Sequence, residues 1–153
     1  MLVSPEPAVP GLFVVGVAAG VVATLAMDAA MARLPEGETS PLVAAGVLTE
    51  TTPDDAPRRL ASVVHYVAGL STGALFAWLY LAAASVLGGV AVTAVAAAGV
   101  LYALMVGFFA VVVLPRSLVA DERAPGIRRD WAAVAAVYIA VLAPVVTGAA
   151  VAL

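Results

Sequence analysis

The sequence predicts an all-α integral membrane protein, an antiparallel four-helix transmembrane bundle. Of its 153 residues, 64% are hydrophobic and 11% are charged, whereas soluble domains are about 45–50% apolar and about 25% charged. Four apolar runs are long enough to cross a bilayer core of about 30 Å, which takes about 20 helical residues. The runs are continuous and do not alternate apolar with polar residues, as transmembrane strands do. A water-soluble globule is therefore excluded.

The predicted spans cover residues 11–34, 60–87, 90–114 and 131–153, within one transmembrane domain of residues 1–153. Loops at 35–59 and 115–130 join the first to the second span and the third to the fourth. Gly88 and Gly89 are a tight break that makes the second and third spans antiparallel neighbours. Residues 1–10 contain no Arg or Lys, and no cleavage site of small residues follows a short apolar core. We therefore expect the first span to be retained.

The two loops contain further structural signals. The apolar piece at 41–48 is too short to cross, since it reaches only about 12 Å as a helix; it either lies on the membrane surface or dips into the bundle. Thr52 and Pro53 predict the start of the second span, as a hydroxyl cap followed by Pro at the first helical position. Pro125 and Gly126 predict the turn of the second of these loops.

The basic residues predict the orientation of the chain. All seven are Arg, and all lie in or beside the loops at 35–59 and 115–130. By the positive-inside rule, these loops are cytoplasmic and both termini lie outside a multi-pass plasma-membrane protein. The acidic pI of about 4.9, with Arg as the only basic residue type besides a single His, suits a high-salt, archaeal-like cytoplasm and bears on solvation rather than on activity.

Similar segments in the two halves raise the question of a duplication. Residues 66–70 resemble residues 138–142, and residues 72–74 resemble residues 147–149. A true duplication makes the fold two helical hairpins related by an axis along the membrane normal. Chance matches in a narrow residue alphabet are the alternative.

Small residues recur at every fourth position of three spans, where they let helix backbones approach closely. They predict the faces on which the helices pack. The glycines of these stripes are Gly16, Gly20, Gly69, Gly73, Gly99 and Gly107.

Two ionisable residues lie on the same stripes. Asp28 is five residues before Arg33, and His65 is six residues after Arg59. Both therefore lie about 8–9 Å inside the membrane from those arginines, at 1.5 Å per residue, a common depth at which the two side chains are able to meet. Tyr138 lies slightly deeper and joins them if its helix face turns inward. The candidate polar site inside the membrane is thus Asp28, His65, Tyr138 and Arg33.

Two interpretations of this cluster remain open. In the structural one, Asp28 pairs with Arg33 or a loop arginine, and His65 binds a backbone carbonyl. In the functional one, the acid and the imidazole handle protons or ions, the default hypothesis for ionisable residues in a membrane. Haem ligation by His65 needs a second ligand, such as Met27, Met31 or Met105. We therefore expect no cofactor and no metal.

One combination of motifs resembles a known group of proteins. An early span contains a Gly-xxx-Gly pattern and ends in Met-containing residues and Leu34-Pro35, and the next opens with His65-Tyr66, then Gly69 and Gly73. This pattern, over residues 11 to 80, is similar to small uncharacterised four-span membrane proteins of the YagU-like and related families of bacteria and halophilic archaea. The resemblance implies a four-helix membrane fold and implies no activity.

The lack of recognisable catalytic motifs in the sequence favours a protein without an enzymatic role. The sequence shows no nucleophile elbow, no phosphate-binding glycine-rich loop and no metal-ligand spacing. The primary hypothesis is a non-enzymatic accessory or oligomeric structural subunit, with the lipid bilayer, further copies or another membrane protein as partner and no nucleic acid. The alternative is a small proton- or ion-coupled carrier that uses Asp28 and His65. A water-accessible cavity at Asp28 favours the carrier, and a dry contact with Arg favours the subunit.

Overall fold

The computed structural model describes residues 9–153, and all regular structure in this range is helical. The prediction that the N-terminus is not a cleaved signal peptide concerns mainly residues 1–8, which lie outside the described range. Five α-helices follow one another, namely α1 (Val9–Met31), α2 (Thr39–Thr49), α3 (Arg58–Ala84), α4 (Val90–Phe108) and α5 (Ala124–Ala152). Helix α4 continues through a π-helical turn at Phe109–Val113 and a 3-10 turn at Leu114–Arg116.

Four of these helices are long and apolar enough to cross a membrane. They contain 23 to 29 residues, counting α4 through its last turn, and their most apolar windows have mean hydropathies of 1.6 to 2.5. Even 23 residues reach about 35 Å at 1.5 Å per residue, more than the bilayer core of about 30 Å. The predicted fold class, a helical bundle with four membrane-spanning helices, is confirmed.

The four long helices form a closed ring in the order α1, α3, α4, α5, because each packs mainly against its two neighbours in this order. Helices α1 and α3 run antiparallel, since Gly16 lies against Gly73 and Gly20 against Gly69. Helices α3 and α4 are joined by residues 85–89, where Gly89 adopts a left-handed φ of 89°. The residues between α1 and α3 and between α4 and α5 share the other end of the bundle. Since the seven arginines lie there, we call it the arginine end.

The glycines of α1 and α3 bring these two helices into close contact. A Cβ atom added at Gly73 would lie 2.1 Å from the carbonyl oxygen of Gly16, and one at Gly16 would lie 2.7 Å from the carbonyl oxygen of Gly73. Gly69 faces Thr24, whose hydroxyl donates to the carbonyl of Gly20. Backbones this close leave no room for a side chain, as the small-residue stripes predict for Gly16, Gly20, Gly69 and Gly73.

The corresponding prediction for α4 is wrong. Gly99 and Gly107 have no atom within 4 Å of an added Cβ, so they face away from the bundle. The buried residues of α4 are Thr93, Ala97 and Leu101. These residues recur every four positions, as the glycines do, but are offset from them by two positions. They therefore lie roughly 200° around the helix, on the opposite face. This face packs because Leu101 fills the core between neighbouring helices and buries more apolar area than a glycine can.

The element boundaries also differ from those predicted at the arginine end. Helix α5 begins at Ala124, seven residues before the predicted span, so the connection from α4 is shorter than 115–130. Pro125 lies in the first helical turn rather than in a loop turn, and that position needs no backbone donor. Pro53 begins only an isolated 3-10 turn, and α3 starts after Pro57.

The apolar piece of the first loop packs onto the bundle instead of lying on the membrane surface. It forms α2, whose Val43 is fully buried against Phe109, Leu114 and Ile127. The neighbouring Ala45 is fully buried beside residues at the start of α3. Helix α2 therefore fills the space between α3 and the end of α4 at the arginine end.

Candidate functional site

Asp28 lies in the last turn of α1 and faces two consecutive residues of α3. Its Oδ1 lies 2.6 Å from Nε2 of His65, and its Oδ2 accepts a hydrogen bond of 2.6 Å from the hydroxyl of Tyr66. The two aromatic rings pack edge to face, with centroids 5.5 Å apart. Both oxygens of the carboxylate are thus held, and Asp28 and His65, which their common depth allows to meet, are in contact.

The ionisation state of the Asp28 carboxylate determines which nitrogen of the His65 imidazole carries a proton. An ionised carboxylate can only accept hydrogen bonds, so the short contact requires a proton on Nε2 of His65. Within residues 9–153, Nδ1 of His65 makes no hydrogen bond. The pair can therefore exist as a carboxylate with a neutral imidazole or as a carboxylate with an imidazolium.

The site opens to a polar cavity at the arginine end. The side chain of Asp28 is 37% exposed, whereas that of His65 is 10% exposed. The cavity has a volume of about 710 Å³ and lies between the end of α1, the start of α2 and the first turns of α3. Its wall includes Glu38, Arg58 and Ser62, so water can enter it. The carboxylate is therefore accessible to water and is not locked in a dry contact between helices.

Two predicted members of the site are elsewhere. The guanidinium of Arg33 donates to the backbone carbonyl of Ala29, and it does not pair with Asp28. Five residues of helix turn a side chain roughly 140° away from its starting direction, and α1 ends at Met31 before Arg33 is reached. The structural interpretation of an Asp28–Arg33 pair is therefore wrong.

Tyr138 also stands apart from the carboxylate. It is 1% exposed, and its hydroxyl donates to the backbone carbonyl of Gly69, one turn further along α3 than His65. That carbonyl is accessible because Gly69 has no side chain and packs closely on Thr24. Tyr138 thus links α5 to α3. Tyr66, its counterpart in the proposed duplication, instead binds Asp28, so the matching residues of the two halves have different roles.

A second cavity, which is apolar, lies on the other side of His65. It has a volume of about 360 Å³, and among residues 9–153 no Asp, Glu, Lys or Arg lines it. Its floor includes Met27 of α1 and Tyr138 of α5, and its wall includes Leu104 and Phe108 of α4. His65 and Pro41 line both cavities, so the polar space at the arginine end and the apolar space between the helices meet at these two residues.

A cluster of charges near the polar cavity ties the two loops of the arginine end together. The guanidinium of Arg123 donates to both carboxylate oxygens of Glu36, at 3.0 and 2.9 Å, and forms an ion pair of 3.1 Å with Asp54. The backbone N–H of Glu36 donates to the buried carboxylate of Asp130 at 2.8 Å. Arg123 holds the pKa of Glu36 below its usual value, and Glu36 in turn raises the pKa of Arg123.

Sequence reasoning missed Tyr66 and this cluster. The signal for Tyr66 is its place beside His65, because a carboxylate with two oxygens can hold two adjacent donors. The signal for the cluster is the mixture of acids and arginines in both loops. Within residues 9–153, no group of three or more His, Cys, Asp or Glu lies close enough together to hold a metal ion.

No protein-family model matches the chain, and neither a curated protein nor a solved structure matches it. The resemblance to YagU-like proteins therefore stays a prediction from the motifs around Gly16, Gly20, His65 and Gly69. The function has to be argued from the site itself.

Proposed function

We propose that this protein is a small proton-coupled carrier, without enzymatic activity, that binds its proton at Asp28 and His65. The observation that supports the proposal best is the position of Asp28. Its carboxylate is 37% exposed in a polar cavity and is held by an imidazole and a phenol rather than by an arginine. A carboxylate needed only for helix packing has no reason to face a cavity of about 710 Å³.

The hydrogen bonds of Asp28 support a two-state proton site. As a carboxylate it accepts from both His65 and Tyr66. When it binds a proton, one of its oxygens becomes a donor, so one of the two partners has to accept instead or move away. Since both partners are on α3 and Asp28 is on α1, proton binding changes the contact between these helices at the arginine end.

We also propose that the arginine end faces the cytoplasm of the cell, across the plasma membrane, with both termini outside. All seven arginines support this orientation, because positive charge is retained on the cytoplasmic side. Protons then reach Asp28 from the cytoplasm through the polar cavity. His65 lies between this cavity and the apolar one, a position from which a proton and a substrate can affect each other.

A pH step applied to reconstituted protein on a solid-supported membrane tests the proton site. We expect a transient charge displacement that is lost in Asp28→Asn and strongly reduced in His65→Gln. Glu38→Gln is the matched control, because Glu38 is an exposed acid that lines the same cavity. If the charge displacement is unchanged in Asp28→Asn, as it is expected to be in the Glu38→Gln control, the proposal is contradicted.

One observation favours the second candidate, an oligomeric or accessory subunit. Gly99 and Gly107 leave an open face of small residues on α4, where another transmembrane helix can approach closely. Cross-linking through a cysteine at Gly99 tests it, since the chain has no native Cys. Dimers formed through Gly99→Cys but not through the exposed Val22→Cys of α1 support a homo-oligomer, and equal cross-linking at both positions contradicts it.

A further inference from the structure

The apolar cavity opens sideways between α3 and α4. Ala68 and Leu75 of α3, together with Leu104 and Phe108 of α4, line it and are also exposed on the outside of the bundle. All four residues belong to helices that are long and apolar enough to span a membrane. The opening therefore faces the hydrocarbon region of the bilayer, and α2 closes the cavity at the arginine end through Ser40, Pro41 and Ala44.

Ser40 is the second observation that indicates a ligand. It is 2% exposed and lines this cavity, and its hydroxyl has no hydrogen-bond partner in the described part of the chain. A buried hydroxyl without a partner is unfavourable, and nearly all such groups in folded proteins are paired. His65, with a free Nδ1, lines the same cavity. Hydrogen-bonding groups of Ser40 and His65 are thus available in a mainly apolar space. Thr24, Thr72 and Tyr138 also line it, and the hydroxyls of Thr24 and Tyr138 already donate to backbone carbonyls.

The composition of the cavity defines the ligand class. Because no Asp, Glu, Lys or Arg among the described residues lines it, a charged head group would be buried without a counter-ion, which is strongly unfavourable. Its volume of about 360 Å³ lies near the lower end of the range of about 300–1,000 Å³ for ligand sites. That space suits one hydrocarbon chain and a small head group rather than a two-chain phospholipid.

We propose that this cavity binds a bilayer amphiphile with one hydrocarbon chain and an uncharged, hydrogen-bonding head group, such as a long-chain alcohol or a monoacylglycerol. The chain enters between α3 and α4, and the head group bonds to Ser40 and His65. Where the ligand is also the carried substrate, the inference rests on the proposed function, whereas binding itself does not require proton coupling.

The two tryptophans of the chain provide the test. Trp131 lines the cavity, whereas Trp78 is 55% exposed on α3. Bromine quenches tryptophan fluorescence on contact, so dibromostearyl alcohol is titrated into purified protein in micelles. With Trp78→Phe, which leaves Trp131 alone, we expect saturable quenching. With Trp131→Phe, which leaves Trp78 alone, we expect quenching that rises without saturation.

Variants at the opening and at the head-group end complete the design. We expect Ala68→Phe to abolish saturable quenching of Trp131, whereas Ala82→Phe, at an exposed alanine of α3 outside the cavity, leaves it unchanged. Ser40→Ala raises the half-saturating concentration about two- to tenfold, the effect of one lost hydrogen bond. Ionised dibromostearate binds at least tenfold more weakly than the alcohol.

Unsaturable quenching of Trp131 overturns the site, as does saturable quenching that Ala68→Phe and Ser40→Ala both leave unchanged. Equal binding of the ionised acid overturns the uncharged head group. If Asp28→Asn leaves the pH-driven charge displacement intact, the proposed function fails, but these quenching results are unaffected. The two proposals can therefore fail separately.

Discussion

Nε2 of His65 lies 2.6 Å from Oδ1 of Asp28, across 37 positions of sequence, and this contact joins the last turn of α1 to α3. The contact is partly wet, because the Asp28 side chain is 37% exposed. Its strength should therefore be that of a hydrogen bond to a charged group, about 1.5–3 kcal/mol, rather than that of a fully buried ion pair.

A double-mutant cycle measures this contact. Asp28→Asn and His65→Gln should each lower the free energy of unfolding in detergent by about 1–3 kcal/mol. The double variant should lose little more than the worse single variant, which gives a coupling energy above about 0.5 kcal/mol. Glu38→Gln with His65→Gln is the control cycle and should be additive, because Glu38 is exposed. Additive losses for Asp28 and His65 would show that the two side chains do not interact.

Substitution of two glycines tests the packing of α1 on α3. Gly73→Ala should destabilise the bundle by about 1–3 kcal/mol, because the new methyl group would lie 2.1 Å from the backbone oxygen of Gly16. Gly99→Ala should be neutral or stabilise by up to about 1 kcal/mol, since that position faces open space and Ala favours a helix. Thermal unfolding in detergent compares them. Equal stability of the two variants would contradict the close contact.

Single cysteines test which ends of the helices share a side of the membrane. Ser85→Cys lies in the connection between α3 and α4, and Asp121→Cys lies between α4 and α5. In right-side-out membranes, an impermeant maleimide should label Ser85→Cys alone if the arginine end faces inward, as we propose from the positive-inside rule. The reverse pattern would invert the orientation, and labelling of both sites from one side would contradict four spans. Ser4→Cys, outside the described residues, is expected to label with Ser85→Cys.

The ion pairs of Arg123 predict a stability that depends on pH. Arg123 holds the pKa of Glu36 below its ordinary value, because its guanidinium donates to both oxygens of the Glu36 carboxylate. Stability from this contact is therefore fully present above about pH 4.3, the value in an unfolded chain, and is lost as the pH falls through the lower folded-state value.

Arg123→Gln should accordingly destabilise at pH 7 and have a smaller effect near pH 3, measured by unfolding at both values. Arg128→Gln is the control, because Arg128 is exposed and outside the ion-pair cluster. If the difference in free energy of unfolding between Arg123→Gln and the parent protein stays constant with pH, the pKa of Glu36 does not depend on Arg123.

Depth along a helix was the part of the site that the sequence could predict. Arg33 and Arg59 mark the interface, and a constant rise per residue then places Asp28 and His65 at one level. The sequence was a poorer guide to which face of each helix packs against its neighbours. Small residues permit a tight contact between helices but do not require one. The glycines of α1 and α3 face each other, whereas Gly99 faces outward.

The remaining features depend on tertiary structure. The position of α2 follows from the burial of Val43 against residues more than 60 positions away, which a local pattern does not contain. The bond from Tyr66 to Asp28 depends on the approach of α1 to α3, and the bond from Arg123 to Glu36 depends on how two loops meet. Each is a contact between residues that are far apart in the sequence. A single sequence identifies the two residues but does not show that they pair with each other.

The π-helical turn at Phe109–Val113 sets the register of everything that follows it in α4. Phe109 and Leu114 are five positions apart, yet both pack on Val43 of α2. A π turn contains one more residue than an α turn, so these two side chains share a face only because of that extra residue. In a regular α-helix of the same length, five positions would turn Leu114 about 140° away from Phe109, and therefore away from α2. Without Ala110, a regular α-helix would place the two side chains four positions and about 40° apart, again on one face. The support of α2, and with it the closed end of the apolar cavity, thus depends on the π turn absorbing one extra residue of α4.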